Sequence, residues 1–135
     1  VVQCGEMVGR AEKFLDMVVE YSKVRVQFGR AIGSFQAIQH RCADLRVAID
    51  GARLLIYQAA WKLSEDPSSL EVSMAKAYTG SVSRQATVAG HSIFAGIVFA
   101  VEHDMQLYTM RSKIQEANWG DTDVHLDRVG YYMGI

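Results

Sequence analysis

Two runs in this chain carry side chains suited to a charged, ring-bearing ligand: Arg25-Val-Gln-Phe-Gly29 and Phe35-Gln-Ala-Ile-Gln-His40. Arg25 offers a planar fork that matches a phosphate. Gln27 and Gln36 add amide donors and acceptors. Phe28 and Phe35 offer flat faces for stacking. Gly29 and Gly33 allow the backbone to turn and to come close to a ligand. On its residues alone the stretch also reads as a plain joint between two helices, with Arg25 a solvated cation at a helix end where the dipole favours it.

Other chemistries find little support. A di-iron bundle needs Glu-x-x-His pairs, and no glutamate here has a histidine three residues on. His40, His91, His103 and His125 are scattered without His-x-x-x-His spacing, so no metal site is expected. Neither a Gly-rich phosphate loop nor a Gly-x-Ser-x-Gly elbow occurs. Cys42 falls in the apolar seam of a helix, which suggests an inert, buried thiol.

These groups must be carried by long helices, because Pro67 is the single proline. A first helix is expected from about Val2 to Val26, with Val8, Ala11, Leu15, Val18, Val19 and Ser22 inward. The second has the clearest period: Ile38, Cys42, Leu45, Ile49, Ala52, Ile56, Ala59 and Leu63 recur at alternating steps of four and three. That is the seam of a helix in a left-handed bundle. Glu65-Asp66-Pro67 ends it. Ser68-Ser69-Leu70-Glu71 reads as a capping box with Ser68 at the N-cap. A third helix follows to about Ile93, with Ala75, Tyr78, Val82, Ala86, Ala89 and Ile93 inward; its small residues allow close neighbours. A fourth runs from Glu102 to about Ala117. Asn118-Trp-Gly-Asp121 is a turn, and Thr122 to about Val129 forms a short last helix capped by Asp121 or Thr122. The expected fold is all-α, an up-and-down four-helix bundle with a broken fourth helix.

Composition fits one domain of 135 residues, half of them hydrophobic. A formal net charge of −1, with acids and bases interspersed, points to neither nucleic acid nor a membrane surface. No apolar run is long enough to span a bilayer. Two distant cysteines, Cys4 and Cys42, suit free thiols in a reducing compartment. The chain opens mid-helix at Val1-Val2-Gln3 and reads as a piece of a longer protein.

In order and spacing these motifs resemble the C-terminal helical domain of the FAD-dependent acyl-CoA dehydrogenases. The family pattern is Tyr-x-x-x-Arg-x-x-Phe-Gly, then Phe-Gln-x-Ile-Gln-His-x-Leu-Ala-Asp-Met. Here it is Tyr21, Arg25, Phe28 and Gly29, then Phe35-Gln-Ala-Ile-Gln-His-Arg-Cys-Ala-Asp-Leu45. Ala52-Arg53-Leu-Leu-x-Tyr57-x-Ala-Ala-Trp61, Met74-Ala-Lys76-Ala-Tyr78 and Glu102-His-Asp-x-x-Leu107-Tyr108-x-x-Arg111 continue the likeness over almost the whole chain.

The resemblance implies a domain that builds a homo- or hetero-oligomer and holds part of an FAD, in a bacterial cytoplasm or mitochondrial matrix. Arg25 would meet the pyrophosphate, with Gln27 and Phe28 beside it; Phe35 and Gln36 would contact the adenosine half; Gly96 and Thr122 would complete the contacts. The parent reaction would desaturate an acyl-CoA, with an electron-transfer flavoprotein as acceptor.

The chain departs from that pattern twice. In the family's Gln-x-x-Gly-Gly-x-Gly-Phe/Tyr segment, Ser92, Ala95 and Val98 replace the glutamine and two glycines, leaving Gly96 and Phe99. A valine does not suit a left-handed backbone. The family's catalytic glutamate, nine residues after an arginine, falls on Gly120 in Trp119-Gly-Asp-Thr122. Asp121 is the adjacent candidate base, since a carboxylate must take the α-proton of the thioester. Three readings follow. The base stands at Asp121 or upstream of Val1; the chain is a non-catalytic subunit of a heteromeric dehydrogenase; or it is a helical interaction domain without flavin.

Overall fold

The computed structural model describes residues 1–65, 69–99 and 104–135. Its elements are α1 (Val2–Val24), a short hairpin of β1 (Val26–Gln27) and β2 (Arg30–Ala31), α2 (Gln36–Glu65), α3 (Ser69–Phe94), α4 (Met105–Ala117) and α5 (Thr122–Met133). Single turns of tighter 3-10 helix follow β2 (Ile32–Ser34) and α3 (Ala95–Phe99). The expected capping box at Ser68 and the expected helix start at Glu102 lie outside the described residues. The fold is the all-α bundle with a broken fourth arm, α4 and α5 being its two pieces.

Side-chain pairings fix the directions. Phe14 of α1 lies against Gly90 of α3, and Tyr21 against Phe94, so these two helices run parallel. Arg41 of α2 bonds Ser92, and Gly51 of α2 faces Tyr78, so α2 runs antiparallel to α3. Arg84 and His91 of α3 reach Glu116 and Thr109, so α4 is antiparallel too. The helix α3 therefore has α1, α2, α4 and α5 all around it.

That central place depends on missing side chains. A methyl at Gly90 would fall 1.9 Å from Phe14 Cε1 and 2.2 Å from Cζ. One at Gly80 would fall 2.6 Å from Thr122 Oγ1. Ala75, Val82 and Ala86 complete the buried face of α3, and Leu45, Ile49, Ala52, Ile56 and Ala59 form that of α2. Polar links tie the outer seams. Glu12 accepts from Arg46 and Arg53, which also pair with Asp50. Gln115 accepts from Arg10 and donates to Glu6, joining α4 to α1.

Some expectations give way. Tyr78, placed inward by the period, is 40% exposed, because its ring lies across Gly51 toward α5 instead of entering the core. Leu63 is exposed, and Val19, Ile38 and Cys42 are half-buried, packed against the core without entering it. Met7, Phe14 and Ala48 fill the core in addition. The first helix stops at Val24, not Val26, because Phe28 and Gly29 adopt φ of 54° and 79° and close a two-residue hairpin. Two successive positive φ values define the turn whose twist matches paired strands.

Replacing Gly90 with alanine should cost about 1–3 kcal/mol by overpacking against Phe14. Adding Phe14→Leu should recover part of that loss. Denaturant unfolding of the single and double variants checks both, and additive losses would disprove the contact.

Candidate functional site

The hairpin delivers Arg25 and Gln27 to one end of the bundle. Arg25 follows the last residue of α1, in extended conformation, with its N–H donating to Tyr21 O at 2.9 Å. Its side chain is exposed and forms no ion pair among the described residues. Gln27 Nε2 donates to Val26 O at 2.8 Å, which steadies the amide. Both residues line a cavity of about 350 Å³, closed on its far side by Ile93, Phe94, Ala95 and Gly96 where α3 ends. Tyr21 and Phe94 form its floor, ring centroids 4.5 Å apart.

Aromatic rings stand beside this cavity. Phe28 is 92% exposed, so it is not a core anchor, and it meets Phe35 edge-on at 6.2 Å. Phe28 is also a non-glycine residue held in the left-handed region, an uncommon and costly state for a bulky side chain. The guanidinium of Arg30 sits 4.1 Å above the Phe35 ring. Gln36, the exposed first residue of α2, follows directly. Gly33, expected to approach a ligand, instead lets the chain press on α1: a Cβ there would lie 3.0 Å from Ser22 O.

The altered glycine segment resolves differently from its sequence. Val98 is buried and is not among the left-handed residues; Ala95 is, at φ 54°. Gly96 has open space where a side chain would stand. Ser92 turns its hydroxyl to Val88 O at 2.9 Å and receives Arg41 at 2.6 Å, so it serves the α2–α3 seam.

Thr122 and Asp121 lie elsewhere. Thr122 is buried against Gly80, fourteen residues before Phe94, or about 21 Å along α3. Its hydroxyl accepts from Arg84 at 3.3 Å and lies 3.5 Å from Glu116 Oε1. Asp121 Oδ1 accepts from Val124 N at 3.0 Å and caps α5. Gly120 has φ 99°, a conformation that suits glycine and strains any residue with a side chain.

Two groups without a functional signature in sequence hold this turn. Lys76, only 4% exposed, donates from Nζ to the carbonyl oxygens of Glu116 and Gly120, both at 2.8 Å. Burial pushes its ammonium below the ordinary lysine range, opposed by the fields of Cys4, Glu116 and Asp121. His125 Nε2 donates to Trp119 O at 3.1 Å, leaving Nδ1 buried without a partner among the described residues. The available signal was a lysine on the inward side of a small-residue helix, which needs carbonyl oxygens to offset its burial. Burial raises the Cys4 and Cys42 thiols. Among the described residues no group of His, Cys, Asp and Glu could hold a metal ion.

The family model for the acyl-CoA dehydrogenase C-terminal domain matches residues 1–133. The chain belongs to the acyl-CoA dehydrogenase family. It is 39% identical over 112 residues to the acyl-CoA dehydrogenase IpdE2 of Mycolicibacterium smegmatis, covering 83% of this chain and 35% of that protein. With the short-chain specific acyl-CoA dehydrogenase of Megasphaera elsdenii it shares 34% over 122 residues, 90% of this chain and 32% of the relative. Among solved structures it superposes on the ChsE4-ChsE5 complex from Mycobacterium tuberculosis with a TM-score of 0.92 at 30% identity, covering 98% of this chain and 36% of that one. For butyryl-CoA dehydrogenase from Megasphaera elsdenii the values are 0.91 and 31%, over 98% and 35%. The chain thus spans about a third of the length of the relatives it matches.

Two outcomes are expected at these sites. Ala95→Gly should raise stability by about 1 kcal/mol by relieving the left-handed alanine; an unchanged unfolding midpoint would refute that strain. Burial holds the His125 imidazole below its ordinary value, and the nearby Arg128 and Lys76 charges deepen this against the Trp119 carbonyl and Asp121. The unfolded chain then binds the proton more readily, so the stabilisation is complete above about pH 6.5 and is lost as pH falls below it. Urea midpoints at about pH 7.5 and about pH 5.5 should diverge, and His125→Gln should narrow the gap.

Proposed function

We propose that this chain supplies the C-terminal part of an FAD site in an acyl-CoA dehydrogenase. The observation that carries the reading is the meeting of Arg25, Gln27, Ala95 and Gly96 at one cavity, although they stand some seventy residues apart in sequence. An exposed guanidinium without an ion pair among the described residues is suited to a diphosphate. The open side of Gly96 admits close approach. Phe28, Phe35 and Gln36 stand beside the cavity, where an adenosine would find ring faces and an amide. Thr122 would contact the cofactor separately, through the turn held by Lys76. When bound, the flavin would accept the hydride that leaves the β-carbon of the acyl-CoA.

The FAD complex of PigA superposes on this chain with a TM-score of 0.87 at 25% identity, which supports the cofactor. Electrons would pass to an electron-transfer flavoprotein. Subunit contact would use the outer face of α2, where Val47, Leu54 and Trp61 recur every seven residues and are all exposed, with Tyr57 beside them. Such a stripe marks an interaction surface. No helix of the described residues is long and apolar enough to cross a membrane. Free thiols at Cys4 and Cys42 fit a reducing compartment, bacterial cytoplasm or mitochondrial matrix.

A second reading, the non-catalytic subunit of a heteromeric dehydrogenase, is favoured by the 119–121 turn. Gly120, the position that the family resemblance gives to the glutamate, has a backbone that disfavours one, while the carboxylate of Asp121 is engaged as a cap. If Asp121 is nevertheless the base, it must act from that position.

Two substitutions separate these readings in the full-length protein. Arg25→Ala should weaken flavin retention on dialysis about 10- to 150-fold, the equivalent of about 1.5–3 kcal/mol for a charge-assisted contact. Unchanged retention would sink the assignment. Asp121→Asn keeps a good N-cap while removing the base. Anaerobic bleaching of the flavin by acyl-CoA should vanish if Asp121 is the base and persist if the base lies upstream of Val1. Absence of bleaching in the unsubstituted protein across a panel of acyl-CoAs favours the silent subunit.

A further inference from the structure

A second chamber, of about 590 Å³, opens beside the 119–121 turn, between the start of α1, the start of α3 and α5. Its size lies within the range of small-molecule sites. Its walls are unusual for a pocket that would take a plain hydrocarbon chain. Lys76, Arg128, His125 and Gln3 line it alongside Val72, Trp119 and the other residues that open α1, and among the described residues no carboxylate does. Arg128 is exposed and forms no ion pair among the described residues.

The acids nearest this group are already engaged. Asp121, whose field reaches both Lys76 and His125, caps α5 with its carboxylate. The carboxylate of Glu116 is held by Arg84, outside the chamber. Lys76 spends its ammonium on the carbonyls of Glu116 and Gly120, and burial disfavours the charged form of His125, so Arg128 is the lining cation left facing the chamber.

We infer that this chamber selects an acyl group bearing a carboxylate of its own, with Arg128 as the residue that recognises it. The inference rests on the acyl-CoA reading of the chain and specifies its substrate class. Trp119 supplies an apolar wall for the methylene segment, and the guanidinium of Arg128 can take the carboxylate with two parallel hydrogen bonds.

The test is calorimetric titration of the flavin-loaded full-length protein with hexanoyl-CoA and adipoyl-CoA, which match in carbon number and differ in one terminal carboxylate. Adipoyl-CoA should bind about tenfold tighter or better, as expected for a paired charge. In Arg128→Met, a substitution at an exposed helix position, the ratio of the two affinities should fall toward one, while Arg41→Met, distant from the chamber, should preserve it. Hexanoyl-CoA binding as tightly as adipoyl-CoA, or a ratio unmoved by Arg128→Met, overturns the inference while leaving the acyl-CoA reading intact. If neither thioester binds better than free CoA, the acyl-CoA reading falls and the inference with it. Because binding is read instead of turnover, the test holds even for a silent subunit.

Discussion

The closeness with which α1 and α5 approach α3 governs the rest of this molecule. A helix can be surrounded on all sides only if its side chains leave room, and α3 does so with Gly80, Gly90, Ala75 and Ala86. The Phe14 ring occupies space that a single methyl at Gly90 would exclude. Thr122 seats its hydroxyl where a side chain at Gly80 would stand. Through the first contact α3 carries the cavity at Arg25; through the second it carries the turn at Gly120. One packing constraint therefore positions two regions about 21 Å apart, as the rise of an α-helix over fourteen residues requires.

The two regions are built by different physics. At the hairpin the candidate binding groups are exposed and the backbone beside them is strained: Phe28 is left-handed, and Ala95 across the cavity is as well. Strain of this kind persists only where the surrounding structure enforces it, and it gathers at functional sites. The turn at 118–122 is held instead by buried polar groups. Lys76 satisfies two carbonyls left open past the end of α4, and His125 satisfies a third. Burying an ammonium is costly, and two carbonyl partners offset that cost. These buried groups tie the turn down, while its carboxylate, Asp121, serves as the cap of α5.

Much of the fold was legible because periodicity reports burial directly. Leu45, Ile49, Ala52, Ile56 and Ala59 follow a four-and-three rhythm that only one face of a helix satisfies, and all five are buried. The rule does not hold at every position. Leu63 continues the same rhythm and is exposed, and Tyr78 keeps the rhythm of α3 but slides across Gly51. The suitability of Arg25 and Gln27 for a phosphate-bearing ligand was readable from residue type, since a guanidinium and an amide near flat rings suit few ligands. The role of Lys76 was not, because its partners are backbone carbonyls, which have no signature in sequence.

The amino-acid sequence by itself determined the class of fold, the membership of a family and the set of residues able to meet a charged, aromatic cofactor, because these follow from side-chain chemistry and local spacing. Tertiary structure alone decided which of them act together. It joined Arg25 to Gly96 and separated both from Thr122; it turned Asp121 into a helix cap; it put left-handed strain on Ala95 and not Val98. It also gathered Lys76, His125 and Arg128 around one chamber from helices that are distant in the chain. The physical reason is common to all of these. Distances between helices, and the fate of unpaired backbone groups, are set by packing that no local window of residues contains.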